Sequence, residues 1–165
     1  MIFLLIGGQQ NTGKSETMAR LFIVLSSRYS SVINVHPFTS PPPTNPFEDF
    51  SAILQGVDVN GKQVNILIHS PTDDMDNINL LRTNIAANKP DVVICSIRDI
   101  NWQRQSVLEI IDKHFHLEIP LARITRRGAN SGNPNSNFQQ ALNWYQNTID
   151  RLINRTLSQN PFDLI

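Results

Sequence analysis

The sequence predicts an α/β fold, a three-layer sandwich around a mainly parallel sheet with one antiparallel edge strand. Short apolar runs alternate with helical patterns along the chain. Asn60-Gly61 joins two strand-like runs, and this dipeptide is typical of a tight hairpin. The first apolar run leads through a glycine-rich turn directly into a helical pattern. A chain of 165 residues is expected to form a single domain, residues 1–165.

Apolar spacing assigns the elements of the N-terminal half. An uninterrupted apolar run has the length of a buried strand, whereas apolar residues three and four positions apart predict a helix with one face toward the core. The two runs that flank Asn60-Gly61 are expected to pair antiparallel. We therefore predict strands at residues 2–6, 32–35, 50–59 and 62–69, and helices at residues 15–27 and 76–88.

The C-terminal half continues the alternation. The apolar run at residues 92–97 lacks polar alternation, which suits a parallel strand that is covered on both faces. A helix is predicted at residues 102–116, with Phe115 on its inward face. A proline within the next strand candidate, residues 117–125, favours a sheet edge because proline cannot donate to a strand ladder. Residues 138–157 form the last predicted helix, which is amphipathic.

Composition indicates a globular chain, with 40% hydrophobic and 17% charged residues. The net charge of +0 gives no indication of a surface for nucleic acid or anionic membrane. The one cysteine, Cys95, excludes an internal disulfide, and its buried type of strand predicts an inert thiol. The N-terminal apolar run is too short for a membrane helix or a signal peptide. We therefore expect a cytoplasmic protein with no membrane partner.

The turn after the first predicted strand has a sequence typical of phosphate binding. A strand that feeds a glycine-rich turn into a helix N-terminus places several backbone N–H groups around one point. The helix dipole adds roughly half a positive charge at that point, and a lysine adds a full one. A polyphosphate is the ligand that this combination favours. The turn reads Gly8-Gln9-Gln10-Asn11-Thr12-Gly13-Lys14-Ser15 and fits the pattern G-x-x-x-x-G-K-[ST] (Walker A).

This motif, in its strand–helix context, resembles that of the P-loop NTPase superfamily. The resemblance implies a nucleoside triphosphate bound with Mg²⁺, with backbone amides of the turn on the phosphates. It also implies that Lys14 contacts the β- and γ-phosphates and that the Ser15 hydroxyl contacts the metal. Glu16 follows in the first helical turn and is included among the residues expected at the nucleotide.

The carboxylate expected on the metal side of such a site has no regular candidate. In the superfamily an aspartate directly follows an apolar strand (Walker B), whereas His69 follows the apolar residues 64–68 here. Asp73 and Asp74 come a few residues later, and each is a candidate metal ligand or a cap of the next helix. His69 itself is a candidate for contact with the γ-phosphate or water, or a buried structural histidine.

Two arginines and a proline-rich segment are candidates for closing over the phosphates. Arg98 leaves the carboxyl end of a strand, and Arg126 lies in the loop after the last strand candidate. Each either stabilises transferred charge or belongs to a solvated basic loop. Residues 37–46 are expected to form either a stiff surface connection or a flap beside the nucleotide. In a flap, Thr39 or Thr44 could reach the metal.

Three functions fit these patterns. The first is an ATP-binding, Mg²⁺-dependent nucleoside triphosphatase whose catalytic candidates are Lys14, Asp73, Arg98 and Arg126. The second is a small kinase that acts on a nucleotide or metabolite. The third is a nucleotide-dependent interaction module with a protein partner and little turnover. ATP is favoured over GTP because Ser96-Ile97-Arg98-Asp99 stands where a GTPase has the guanine-selecting Asn-Lys-x-Asp.

Overall fold

One mixed sheet with helices on its faces forms the framework of the protein. The structure is a computed structural model that describes residues 1–10, 12–29, 31–34, 41, 44–45, 48–123 and 136–165. Its strands are β1 (Ile2–Gly8), β2 (Ser31–Asn34), β3 (Ser51–Val57), β4 (Gln63–His69), β5 (Val92–Arg98) and β6 (Phe115–Pro120). Its helices are α1 (Lys14–Ser26), α2 (Met75–Asn88), α3 (Asn101–Ile111) and α4 (Ser136–Leu157). None of these helices has an apolar stretch long enough to cross a membrane.

The strand order β2-β3-β4-β5-β1-β6 confirms the α/β class but corrects the sheet. β4, β5, β1 and β6 pair parallel, whereas β3 pairs antiparallel with both β2 and β4. The prediction of a mainly parallel sheet with one antiparallel edge strand was therefore wrong, because the sheet is mixed and its antiparallel strand is internal. The physical reason is that β2 pairs with the outer backbone N–H and C=O groups of β3, which an edge strand leaves without partners.

The central strand β1 is covered on both faces. Leu4 and Ile6 belong to a buried cluster that also contains side chains of α1 and α4. Phe3 and Leu5 belong to a second cluster with side chains of α2 and α3. Because successive side chains of a strand point to opposite faces, an uninterrupted apolar run is what a strand between two cores requires.

The Asn60-Gly61 hairpin is confirmed. β3 and β4 pair antiparallel from Val57 opposite Gln63 to Ser51 opposite His69. Gly61 has a φ of 79°, a backbone conformation in which a side chain would be strained. This register places the first residues of β3 beside the carboxyl end of β4.

The boundary between α3 and β6 was predicted wrongly. α3 ends at Ile111, and Asp112 follows with a positive φ of 42°, which no helix allows. Phe115, expected on the inward face of the helix, begins β6 and is 48% exposed. Its spacing of four residues from Ile111 matches a helix, but spacing alone does not reveal the residue of positive φ that ends one. β6 pairs only with β1, so the expected sheet edge is confirmed.

The second core predicts a large cost for a cavity at Leu67. This side chain is 0% exposed, at the centre of the sheet. We expect Leu67→Ala to lower the free energy of unfolding by about 2–5 kcal/mol, because the substitution removes apolar contacts and leaves a cavity. Leu152→Ala on α4 is the matched control, since Leu152 is 47% exposed, and should change stability by less than about 1 kcal/mol. Urea unfolding of both variants measures the difference, and equal losses would contradict this account of the core.

Candidate functional site

Both glycines of the motif are required by the backbone between β1 and α1. Gly13, the N-cap of α1, has a φ of 83°, and Gly8 has a φ of 148°. A Cβ atom on Gly8 would lie 2.8 Å from Thr12 Oγ1 and 2.9 Å from the carbonyl oxygen of Leu121. Thr12 Oγ1 in turn donates a hydrogen bond of 2.9 Å to the carbonyl of Gln9. The turn is thus closed by its own groups; Asn11 lies outside the described residues.

Lys14 is held by the carbonyl groups of the same turn. Its Nζ donates hydrogen bonds to the carbonyl oxygens of Gly8 at 2.8 Å and Gln9 at 2.7 Å. Burial lowers the pKa of this ammonium group to about 8, and the nearby Arg98 guanidinium acts in the same direction. The carboxylates of Asp99 and Asp49 act in the opposite direction without cancelling this shift, so a further anionic group beside the ammonium would be stabilised.

A cleft of about 560 Å³ opens beside this turn. Its polar side is lined by Lys14 and Ser15, by Gln10 and by groups at the ends of the sheet strands. Its other side is formed by α4 and is largely apolar, with Phe138, Leu142, Tyr145 and Ile149. A site with one charged and one apolar wall suits a ligand that carries phosphates and an aromatic base.

The cleft contains a carboxylate that was not predicted from the sequence. Asp49 lies just before β3, and its Oδ1 is 3.4 Å from Ser15 Oγ and 3.0 Å from Ser70 Oγ, both of which donate to it. Ser70 Oγ also accepts a hydrogen bond of 2.9 Å from the backbone N–H of Phe50. Burial raises the pKa of the Asp49 carboxyl above its ordinary value; the hydrogen bond from Ser70 opposes this shift and the charge of Asp73 adds to it.

Asp73 and Arg98 meet across the same cleft. The Arg98 guanidinium lies 3.7 Å from Asp73 Oδ2, and both residues line the cleft. Asp73 Oδ1 also accepts a hydrogen bond of 2.8 Å from the side-chain amide of Asn77. Arg98 occupies this position because β5 runs parallel to β1 with Arg98 opposite Gly8. The sheet register alone therefore brings an arginine beside the start of the glycine-rich turn.

Asp74 has a different environment. It is the N-cap of α2, where its Oδ1 accepts a hydrogen bond of 2.8 Å from the backbone N–H of Asn77. Its side chain is exposed, and it does not line the cleft. Of the two explanations that the sequence left open, capping is the role that the contacts of Asp74 support.

Glu16 connects α1 to α4 at the border of the cleft. It forms an ion pair of 2.7 Å with Arg20 and accepts a hydrogen bond of 3.1 Å from the Gln146 side chain. Arg20 is also paired with Asp150 of α4 at 2.9 Å. The carboxylate of Glu16 thus fixes the apolar wall against the turn that bears Lys14.

His69 and Cys95 are both buried away from solvent. His69 is 0% exposed, with Nδ1 3.1 Å from Ser51 Oγ and Nε2 3.2 Å from the carbonyl of Asn77. It does not line the cleft, so its contacts support a structural histidine. Cys95 is also 0% exposed, and burial raises the pKa of its thiol to about 12, as expected of an inert cysteine.

The structure brings together only part of the predicted site. Thr12, Gly13 and Glu16 line the cleft together with the polar residues named above. Gln9 contributes its carbonyl oxygen to Lys14. Arg126, Thr39 and most of the proline-rich segment lie outside the described residues, whereas Thr44 is described and exposed.

Within the described part of the chain, no three His, Cys, Asp or Glu side chains are grouped so as to hold a metal ion. No protein-family model matches the chain, and the searches of curated proteins and of solved structures return no match.

The burial of His69 predicts a specific loss of stability in acid. Burial lowers the pKa of this histidine from 6.5 to about 4. Between these pH values the unfolded chain binds more protons than the folded one, so stability falls as the pH falls. The full difference corresponds to about 3 kcal/mol.

We expect His69→Gln to lack this loss of stability in acid. The free energy of unfolding of wild type minus that of the variant should fall by about 3 kcal/mol from pH 7 to pH 4. Urea unfolding across this range measures both proteins under the same conditions. If the free energies of unfolding of both proteins depend on pH in the same way, His69 has the same pKa in the folded and unfolded chain, which contradicts its burial.

Proposed function

We propose that this chain binds Mg-ATP in the cleft and hydrolyses it. One observation carries the proposal: the turn at residues 8–15 joins β1 to α1 and presents Lys14 and Ser15 to a large cleft. The N-terminus of a helix offers free backbone N–H groups and the positive end of its dipole. Together with Lys14, these groups favour a polyphosphate over other ligands of similar size.

The residues around the turn have the chemistry that a magnesium ion requires. Mg²⁺ prefers oxygen ligands, and the Ser15 hydroxyl lies among carboxylates at the polar side of the cleft. When bound, Mg²⁺ would neutralise charge on the phosphates during transfer. Of the two aspartates that the sequence offers as metal ligands, Asp73 lines the cleft and Asp74 does not.

Lys14 and Arg98 are the proposed catalytic cations. Lys14 would exchange its hydrogen bonds to the carbonyls of Gly8 and Gln9 for bonds to phosphate oxygens, which compensate its charge better. Arg98 lines the same cleft, 3.7 Å from Asp73 Oδ2, and would contact the γ-phosphate from there. The helices on both faces of the sheet support a P-loop-like three-layer sandwich as the framework. ATP is favoured over GTP because the sequence has no guanine-selecting motif at residues 96–99.

Phosphate transfer to a small acceptor is the second candidate function. The observation that favours it is the Asp73 carboxylate, which lies in the cleft beside a cation. A carboxylate in such a place can orient an acceptor hydroxyl and receive its proton, as the catalytic aspartate of kinases does. Phosphate found on an added acceptor instead of in water would favour this function.

Removal of the Lys14 ammonium group should weaken nucleotide binding. A hydrogen bond to a charged group contributes about 1.5–3 kcal/mol, so we expect Lys14→Ala to lose at least about tenfold in affinity for Mg-ATP. Isothermal titration measures the affinity, and release of inorganic phosphate measures turnover. Tight binding without turnover would assign the chain to the interaction modules instead of the hydrolases.

Lys113→Ala is the matched control for this experiment. Lys113 is exposed and precedes β6, whose first residue Phe115 pairs with Ile2 at the end of the sheet opposite the cleft. The substitution removes the same charge and should leave the affinity unchanged. The proposal fails if Lys14→Ala binds as tightly as wild type, or if wild type does not bind Mg-ATP.

A further inference from the structure

A carboxylate that forms no salt bridge with the described residues lies next to the hydroxyl of the motif. Asp49 Oδ1 is 3.4 Å from Ser15 Oγ, at the polar side of the cleft. The described residues form no salt bridge with Asp49. Its contacts are two hydroxyl groups, those of Ser15 and Ser70. The charges of Arg98 and Lys14 act on this carboxylate from beyond salt-bridge distance, so a cation bound directly to it would stabilise its charge further.

The spacing of these oxygens suits a small divalent ion. Mg²⁺ holds its ligands in an octahedron at about 2.1 Å, so two neighbouring ligand oxygens lie about 3 Å apart. The observed 3.4 Å between Ser15 and Asp49 is close to this separation. A small shift of either side chain would let one ion contact both oxygens.

The other candidate carboxylates are already in use. Asp73 is paired with Arg98 and accepts from Asn77, and Asp74 caps α2. Either would lose existing contacts on moving to the Ser15 hydroxyl. Asp49 would lose only the hydrogen bond that Ser15 now donates to it, because it could keep the one from Ser70 at 3.0 Å.

We propose that Asp49, together with the Ser15 hydroxyl, binds the Mg²⁺ ion that accompanies the nucleotide, and that Ser70 orients its carboxylate. This inference rests on the proposed function. It assigns the metal-side carboxylate to the residue before the antiparallel strand β3, not to one that follows β4. Ser70, which does follow β4, is then the group that holds the carboxylate in place through its hydrogen bond.

The test measures how strongly Mg²⁺ and the nucleotide favour each other's binding. A non-hydrolysable ATP analogue is titrated into wild type and Asp49→Asn, once with Mg²⁺ and once with EDTA. Asparagine keeps the size and an oxygen acceptor but lacks the charge. We expect the gain in affinity from Mg²⁺ to fall at least about tenfold in the variant. Binding in EDTA should be retained or improved, because a negative charge near the phosphates is removed, and it shows that the variant is folded.

Two further variants separate a metal ligand from a structural residue. Asp49→Glu keeps the carboxylate and should recover part of the Mg²⁺ effect, which a role in packing alone would not predict. Asp112→Asn is the control, because Asp112 is exposed beyond α3 and the substitution is the same change of side chain as Asp49→Asn. It should leave the Mg²⁺ effect unchanged.

The outcomes distinguish this inference from the function on which it rests. If wild type binds no nucleotide under either condition, both are overturned. If wild type shows a strong Mg²⁺ effect that Asp49→Asn retains, the inference alone is overturned. Loss of the effect in Asp73→Asn instead of Asp49→Asn would transfer the metal to Asp73 and overturn it as well.

Discussion

The direction of β3 is the constraint on which the candidate site depends. Because β3 runs antiparallel to β4, its first residues lie at the end of the sheet where β1, β4 and β5 end. The glycine-rich turn and Arg98 lie at that same end. A parallel β3 would have placed Asp49 at the opposite end of the sheet. The hairpin thus adds Asp49 to a cleft that also contains Asp73, which follows β4.

The charges in the cleft are compensated unevenly. Among the described residues, the direct contacts of Lys14 are carbonyl oxygens and those of Asp49 are hydroxyl groups, whereas Arg98 has a carboxylate at 3.7 Å. A phosphate chain with its metal ion would give both Lys14 and Asp49 a partner of opposite charge, since its oxygens suit Lys14 and its cation suits Asp49. This complementarity connects two observations that are separate in the protein alone.

The central part of the fold was predictable, and the errors have identifiable causes. The turn at residues 8–15 and its flanking elements follow from a motif whose glycines the backbone requires. β2 was predicted as a strand, but four residues carry too little pattern to reveal that it covers β3. Asp49 was missed, although the sequence contained a signal for it. The register of the Asn60-Gly61 hairpin places the residues before β3 beside those after β4. The motif directed the search to a carboxylate that follows an apolar strand, whereas the hairpin brings Asp49, which precedes a strand, to the same place.

His69, the last residue of β4, stands where the usual metal-side aspartate would be, and its surroundings disfavour a carboxylate. The side chain at position 69 points away from the cleft, between the Ser51 hydroxyl and the carbonyl oxygen of Asn77. An aspartate there would set its negative charge against that carbonyl in a fully buried place. A neutral imidazole can donate to the same carbonyl and remain uncharged. The next residue, Ser70, faces the cleft and binds Asp49, so the departure from the usual pattern and the unexpected carboxylate are parts of one arrangement.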